Sequence, residues 1–186
     1  QSFYSSLKDE KWRIIEHCSS SLNGLNKKVG VIKKKLFELS STSLDNVNIY
    51  GVVGAGNTAA TANQKGAVLG LELICSQDLA SNELLKTFES YIAHELVHVL
   101  QHRLTKRIDL NFNLLEISLL EGSADYIAEL ILGSNYILDD DRYDFGSVNA
   151  RNLMVAFKAN MLSSKLSPWL YTNIESMPRD MGYWVG

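Results

Sequence analysis

Apolar residues recur every three to four positions through most of the chain, which is the spacing of one face of an α-helix. This spacing predicts a helix over residues 3–22, ending near Asn23-Gly24. It predicts a second helix whose apolar stripe is Val29, Ile32, Leu36 and Leu39. Further helices are predicted over residues 82–107, 112–132 and 148–161. The chain is therefore predicted to be mostly helical.

A different pattern occupies residues 48–74. Residues 48–53 and 67–74 predict two strands, separated by the small and polar residues 54–64. The start of that loop, GAGNT, superficially resembles a phosphate loop, but it lacks both the GK[ST] ending and a complete GxGxxG, so it does not predict a nucleotide site. The length of 186 residues fits one domain of the α+β class, mostly helical, with a small β-sheet.

The formal net charge of −3 is unlike that of a general nucleic-acid-binding domain, so no nucleic-acid partner is predicted. No apolar run of roughly 18 residues occurs, so no transmembrane segment is predicted.

Two groups of like charge leave alternatives open. The lysines of the second predicted helix form either a solvated face or a patch for a membrane surface or anionic partner: Lys27, Lys28, Lys33, Lys34 and Lys35. The acidic residues Asp139, Asp140, Asp141 and Asp144 form either a solvated loop or a calcium site, although their spacing matches no EF-hand loop.

Cys18 and Cys75 are the two cysteines of the chain. They either form a disulfide in an oxidising compartment or remain two buried thiols. The chain begins with Gln rather than Met, and an exported precursor that has been processed is one explanation.

The segment His94-Glu95-Leu96-Val97-His98 carries the clearest chemical signal. Two histidines four positions apart lie one turn from each other on the same face of a helix, so their imidazoles can reach one Zn²⁺ ion. Glu95 follows the first histidine directly, and in an HExxH helix this carboxylate acts on a water at the open position of the metal. The pattern predicts His94 and His98 as metal ligands and Glu95 as the general base. His102 lies one turn further on and is predicted to be a neighbour of the site.

A third ligand is expected from the next helix, where Glu121 and Asp125 are also four positions apart. Both carboxylates stand among Leu, Ile and Ala residues, where burial without a compensating charge is costly. We predict that Glu121 binds the metal and that Asp125 accepts a hydrogen bond from a ligand histidine, most plausibly His94. The reverse assignment, with Asp125 on the metal, remains the alternative. Two histidines and one carboxylate leave the fourth position open, as in catalytic zinc sites.

HELVH followed after 22 residues by EGSAD resembles the HExxH…ExxxD signature of gluzincin metallopeptidases, the thermolysin-like group. The order of IYGVVGAGNT, KGAVLGLEL, HELVHVLQH, EGSAD, WLY and RDMGYWVG resembles a group of bacterial predicted zinc-dependent proteases, which are often exported or lipid-anchored and are related to gliding-motility lipoproteins. The resemblance covers residues 48–186. It implies a single zincin-like domain whose catalytic core is residues 48–186. Residues 1–47 lie outside the match, as an N-terminal helical segment or a pro-segment.

The resemblance also implies an edge strand beside the active-site helix that binds an extended peptide. Residues 66–74 are the candidate strand, with Gly66, Ala67, Val68, Leu69 and Gly70 as substrate-binding residues. Thermolysin-like enzymes steady the oxyanion with a downstream His or Tyr. This chain has no His after His102, so Tyr183 or Arg179 is predicted for that role.

Together these residues predict a zinc peptidase that hydrolyses peptide bonds with a metal-activated water and Glu95 as general base. Its partner would be a peptide or protein substrate, and its location exported: periplasmic, lipid-anchored at the cell surface, or secreted. Two alternatives are a metallohydrolase with a non-peptide substrate and a catalytically silent zincin-fold protein that acts in binding or assembly. The sequence does not specify an oligomeric state.

Overall fold

The structure is a computed structural model that describes residues 9–20, 22–54, 56–77, 79–105, 111–136 and 140–186. Seven α-helices and three strands occur in these ranges, which confirms the α+β class with mainly helical content. The elements, in chain order, are α1 (Asp9–Ser20), α2 (Leu25–Ser40), β1 (Asn48–Val52), β2 (Ala60–Asn63), β3 (Gly66–Gly70), α3 (Leu71–Ile74), α4 (Ser81–Thr105), α5 (Leu114–Leu132), α6 (Asp140–Asn160) and α7 (Met181–Val185).

Contacts divide the chain into two compact units. The first contains residues 1–104 and 128–137, and the second contains residues 105–127 and 138–186. Among the described residues, no helix is long and apolar enough to cross a membrane.

The sheet of the first unit has the strand order β1-β3-β2. Strand β1 pairs with β3 in parallel, and β2 pairs with β3 in antiparallel orientation. The β2–β3 hairpin turns through Gln64 and Lys65, where the Lys65 N–H donates to the Asn63 side-chain oxygen at 2.8 Å. An asparagine that bonds the backbone two residues on is a common turn-forming device.

The expectation that residues 66–74 form an edge strand is wrong. Residues 66–70 form the central strand, and residues 71–74 are the helix α3. Strand β2, which falls in the predicted loop, occupies the side of β3 that the prediction left open. Gly66 and Gly70 suit this central place, because a Cβ there would lie 2.2 Å from the Asn48 carbonyl oxygen and 2.3 Å from the Thr58 carbonyl oxygen. Gly66, Ala67, Val68 and Leu69 all have a partner on both sides, so a peptide cannot add to β3 by strand pairing.

The glycine-rich loop after β1 is held by a carboxylate of the protein itself. The Gly54 N–H donates to Glu72 Oε2 at 2.8 Å, and the Gly56 N–H donates to Glu72 Oε1 at 3.0 Å. Burial raises the pKa of Glu72, but the N–H donors of Gly54, of Glu72 itself and of Gly56 outweigh this effect and lower the pKa below its usual value. The backbone donors that resembled a phosphate loop therefore bind Glu72.

Cys18 in α1 and Cys75 directly after α3 form a disulfide, with their Cα atoms 5.7 Å apart. This settles the two alternatives left open by the sequence. Closing a loop with a sequence separation of 57 residues stabilises the folded state by about 4 kcal/mol if the effect is chain entropy alone. Disulfides of this kind are typical of oxidising compartments.

Four of the five clustered lysines of α2 are exposed, as the solvated-face alternative requires, and Lys33 is half-buried. Three of them reach other elements: Lys28 pairs with Glu89, Lys33 donates to the Val47 carbonyl, and Lys35 donates to the Ile131 carbonyl. The last contact places a cation at the C-terminal turn of α5, where the helix dipole favours positive charge.

Helix α5 begins with a capping box. The Glu116 N–H donates to Asn113 Oδ1 at 3.0 Å, and the Asn113 N–H donates to Glu116 Oε2 at 2.9 Å. This reciprocal pair fixes where the helix starts.

The second unit is built on an apolar cluster under α6 and α7. Its buried members are Leu114, Leu153, Phe157, Trp169, Leu170 and Met181. The Phe157 and Trp169 rings meet edge to face at 5.1 Å. Helix α6 begins at Asp140, eight residues before the predicted start, so Asp141 and Asp144 lie near a helix N-terminus, where negative charge is favourable. Asp139 and residues 3–8 of the first predicted helix lie outside the described residues.

We expect Glu72→Gln to lower the free energy of unfolding by roughly 1 kcal/mol at neutral pH, because the amide loses the charge that strengthens the loop hydrogen bonds. The folded-state pKa of Glu72 is lowered, so its stabilisation is present above the unfolded-state pKa and is lost as the pH falls through the folded-state pKa. Urea denaturation between roughly pH 7 and pH 3 measures the difference between parent and variant. The exposed Glu38→Gln change is the control. A difference that persists at the acid end would contradict this account.

Candidate metal centre

Helix α4 is buried around most of its circumference. Its buried positions include Phe88, Ile92, Ala93, Leu96, Val97 and Val99. His94 and Glu95 are 7% and 5% exposed, so both ionisable side chains lie in the buried part of the helix. Burying an ionisable group is costly unless it has a partner, and the buried Glu89 of the same helix has one in Lys28. His94 therefore needs a partner as well.

The two histidines of α4 are brought together as predicted. Their Nε2 atoms lie 3.0 Å apart, and the rings meet at 82° with centroids 4.6 Å apart. Two nitrogen ligands at 2.0–2.1 Å from one tetrahedral zinc ion are separated by about 3.3 Å. The His94 and His98 nitrogens are therefore spaced closely enough to share one ion.

Gln101 is a partner of His98 that the sequence analysis did not identify. His98 Nδ1 lies 2.7 Å from Gln101 Oε1. A carboxamide oxygen only accepts hydrogen bonds, so this contact favours the tautomer with the proton on Nδ1 and the lone pair on Nε2. This is the tautomer that binds a metal through Nε2. The i, i+3 spacing of His98 and Gln101 on a helix is the signal that would have indicated it.

Glu121 lies on α5, in the second unit, beside two phenols. The Tyr171 hydroxyl donates to Glu121 Oε1 at 3.3 Å, and Tyr183 also forms a side-chain hydrogen bond with Glu121. Burial, and next to it the negative charge of Glu121, raises the pKa of both Tyr171 and Tyr183 well above the usual value. Both hydroxyls therefore stay protonated and able to donate over the physiological pH range.

Asp125, one turn after Glu121, is 6% exposed and accepts a hydrogen bond from Arg142 Nη2 at 3.2 Å. The Arg142 guanidinium also lies over the Tyr183 ring, 4.8 Å from its centroid. Arg142 on α6 thus connects Asp125 with Tyr183. Arg142 could not be identified from the sequence, because nothing in its local pattern distinguishes it from a surface arginine.

Of the two residues predicted for the oxyanion role, Tyr183 lies at Glu121. Arg179 instead forms an ion pair with Asp180, 3.1 Å from Nε to Oδ2, and its side chain is 57% exposed. Tyr183 reaches its place because α7 packs closely on α5. A Cβ at Gly122 would lie 2.4 Å from the Tyr183 carbonyl oxygen. The residues closest to Gly122 in the second unit are Tyr183 and Gly186.

His94, His98 and Glu121 form a group that is compatible with a metal ion. Each offers one ligand atom, and these atoms all lie within 4.8 Å of one another. Two imidazole nitrogens and a carboxylate oxygen are a donor set that suits zinc. His102 is exposed and does not belong to the group.

A cavity of about 450 Å³ lies elsewhere in the first unit, with lining residues from α2, β1 and α4 among others. Of the predicted site residues, Leu69 alone lines it among the described part of the chain. The cavity therefore does not mark the metal-compatible group.

The elements and side chains described so far define a class: an α+β protein with a candidate metal centre whose histidines come from one long buried helix. A family model described as "Predicted Zn-dependent protease (DUF2268)" matches residues 28–186, and the chain belongs to this family. No curated protein and no solved structure shows significant similarity to the chain.

We expect Gln101→Leu to weaken zinc binding about tenfold, because His98 loses the acceptor that fixes its tautomer and ring orientation. Competition with a chromophoric chelator measures the dissociation constant. His102→Ala removes an exposed imidazole one turn from His98 and should leave that constant unchanged. Parental zinc affinity in Gln101→Leu would show that the Gln101 contact has no part in binding.

Proposed function

We propose that this protein is a zinc-dependent peptidase of the gluzincin type. The single observation that carries the proposal is the His94, His98 and Glu121 group, whose ligand atoms lie within 4.8 Å of one another, on a chain that also has Glu95 beside His94. Membership in a family of predicted zinc-dependent proteases supports the same activity. The HExxH…ExxxD spacing supports the gluzincin type within that class.

In this proposal His94 and His98 bind zinc through their ring nitrogens, and Glu121 binds it through a carboxylate oxygen. Bound zinc supplies a water of lowered pKa and polarises the substrate carbonyl. Gln101 keeps His98 in the required tautomer. Asp125 is proposed to orient His94, and its observed partner Arg142 holds that carboxylate in a defined position.

Glu95 is the proposed general base. It follows His94 directly on α4, so its side chain leaves the helix about 100° around from that of His94. In the HExxH motif this carboxylate acts on the water and not on the metal itself. Its carboxylate takes a proton from the attacking water and delivers it to the leaving amine nitrogen. Burial of Glu95 keeps bulk water away from that proton transfer.

Tyr183 is the proposed oxyanion donor. Its hydroxyl lies at Glu121, and its raised pKa keeps it a hydrogen-bond donor at neutral pH. A neutral donor of this kind stabilises the charge that develops on the carbonyl oxygen as water adds.

The proposed substrate is a peptide or protein, and the proposed location is outside the cytoplasm. The Cys18–Cys75 disulfide supports export, because such bonds persist in oxidising compartments. The relation to gliding-motility lipoproteins, which rests on the order of the sequence motifs, is part of the same proposal.

We expect the purified protein to hold about one equivalent of zinc. His94→Ala and Glu121→Ala should lose most of it, because each removes one of three proposed ligands. Elemental analysis after dialysis against zinc gives the stoichiometry, and His102→Ala serves as the control that keeps the metal. Absence of zinc from the parent, even after addition, would overturn the proposal.

Glu95→Gln should keep the zinc and lose activity by a factor of about 10²–10⁴, because the amide cannot accept the proton. Cleavage of a quenched fluorescent peptide library, measured beside zinc content, tests this. Equal cleavage by parent and variant would remove Glu95 from the mechanism. A parent that binds zinc and cleaves no peptide would favour another hydrolysed substrate or a silent binding role.

A further inference from the structure

The Glu121 carboxylate is hydrogen-bonded to two phenol side chains, although a carboxylate can bind a metal ion without either of them. Tyr171 donates to Oε1 at 3.3 Å, and Tyr183 forms a second side-chain hydrogen bond to the same carboxylate. Tyr171 and Tyr183 are also hydrogen-bonded to each other. If Tyr183 serves the oxyanion, Tyr171 needs a separate explanation.

Tyr171 is held in place by an unusual backbone arrangement. Its φ of 60° lies in the left-handed region, and so does the φ of 61° at Asp180. Side-chain-bearing residues adopt this conformation only where their surroundings hold them there. The Tyr171 N–H donates to Asp180 Oδ1, and the Gly182 N–H donates to the Trp169 carbonyl at 2.9 Å. Residues 169–171 and 180–182 are thus joined at two points.

Asp180 sets the direction of both tyrosines. It accepts from the Tyr171 backbone, and it is the residue from which α7, the helix of Tyr183, begins. The side chain forms no cap bond to α7; Oδ1 accepts from the Tyr171 N–H, and Oδ2 pairs with Arg179. The side chain of an N-cap aspartate ordinarily accepts a hydrogen bond from a backbone N–H of its own helix, whereas that of Asp180 accepts one from Tyr171.

We propose that Tyr171 is a positioning residue for Glu121: its hydroxyl holds Oε1 of the carboxylate and so keeps the side chain in one orientation for the metal. This inference rests on the proposed function, since it takes Glu121 as a ligand. A glutamate side chain has several rotamers, and ordering it costs entropy on binding. When a phenol already fixes it, less of that cost remains when the metal binds, so affinity rises. Asp180 acts on Glu121 indirectly, because it fixes the backbone of Tyr171.

The first test is the zinc dissociation constant of Tyr171→Phe, measured with zinc alone by chelator competition. We expect binding about tenfold weaker than in the parent, within the range found for residues that orient metal ligands. Tyr126→Phe is the matched control, because it removes a phenol on α5 that is 62% exposed, and it should bind zinc as the parent does. Parental affinity in Tyr171→Phe, or equal loss in both variants, would overturn the inference.

A second pair of variants separates positioning from folding. Asp180→Gly removes the acceptor at a position whose positive φ suits glycine, and Asp180→Asn keeps an acceptor and tolerates that φ. We expect Asp180→Gly to weaken zinc binding in the same direction as Tyr171→Phe and Asp180→Asn to remain near the parent. The reverse order would overturn the role of Asp180.

The outcomes also separate this inference from the proposed function. A parent without zinc overturns both. A parent that binds zinc, with an unchanged Tyr171→Phe variant, overturns the inference alone. If Tyr171→Phe keeps zinc affinity and KM but loses kcat, Tyr171 contacts the reacting group and is not a positioning residue.

Discussion

An ionisable side chain inside an apolar helix is stable only when its polar atoms are partnered, and this constraint governs both α4 and α5. On α4, His98 meets His94 and Gln101 within one turn in either direction. On α5, Glu121 has phenols and Asp125 has a guanidinium. Each of these partners also fixes a rotamer. The partners that allow these ionisable side chains to be buried therefore also hold them in the fixed orientations that metal binding and catalysis need.

The partners differ in how far along the chain they are found. Gln101 is three residues from His98, so formation of the helix alone brings the two side chains together. Tyr171 and Tyr183 lie 50 and 62 residues after Glu121 and require the whole of the second unit to be folded. Their support passes through Asp180, Gly122 and the close approach of α7 to α5. Changes in that C-terminal segment are therefore changes in the surroundings of Glu121.

The difference in distance explains what could be predicted from sequence. The fixed period of a helix predicted the pairing of His94 with His98, and the same rule would have given Gln101. Glu121 was a candidate because carboxylates in an apolar helix are conspicuous. Arg142 and Tyr171 were not identifiable, because a long-range partner has no local pattern.

The sheet was harder to predict for a related reason. Strand β2 has four residues, all of them small or polar, and only its pairing with β3 makes it a strand. Missing it moved β3 from the centre of the sheet to its edge in the prediction. The same local reading placed the start of α6 eight residues late, since most residues of its first turn are polar.

The Glu72 contact changes how a glycine-rich segment should be understood. Backbone N–H groups in such a loop attract any anion of suitable size. Here that anion is attached to the same chain, so its effective concentration far exceeds that of a dissolved phosphate or carboxylate. The loop is in effect a receptor that carries its own ligand. Whether a motif of this kind binds something from solution depends on one acidic side chain 16 to 18 residues downstream, outside the motif itself.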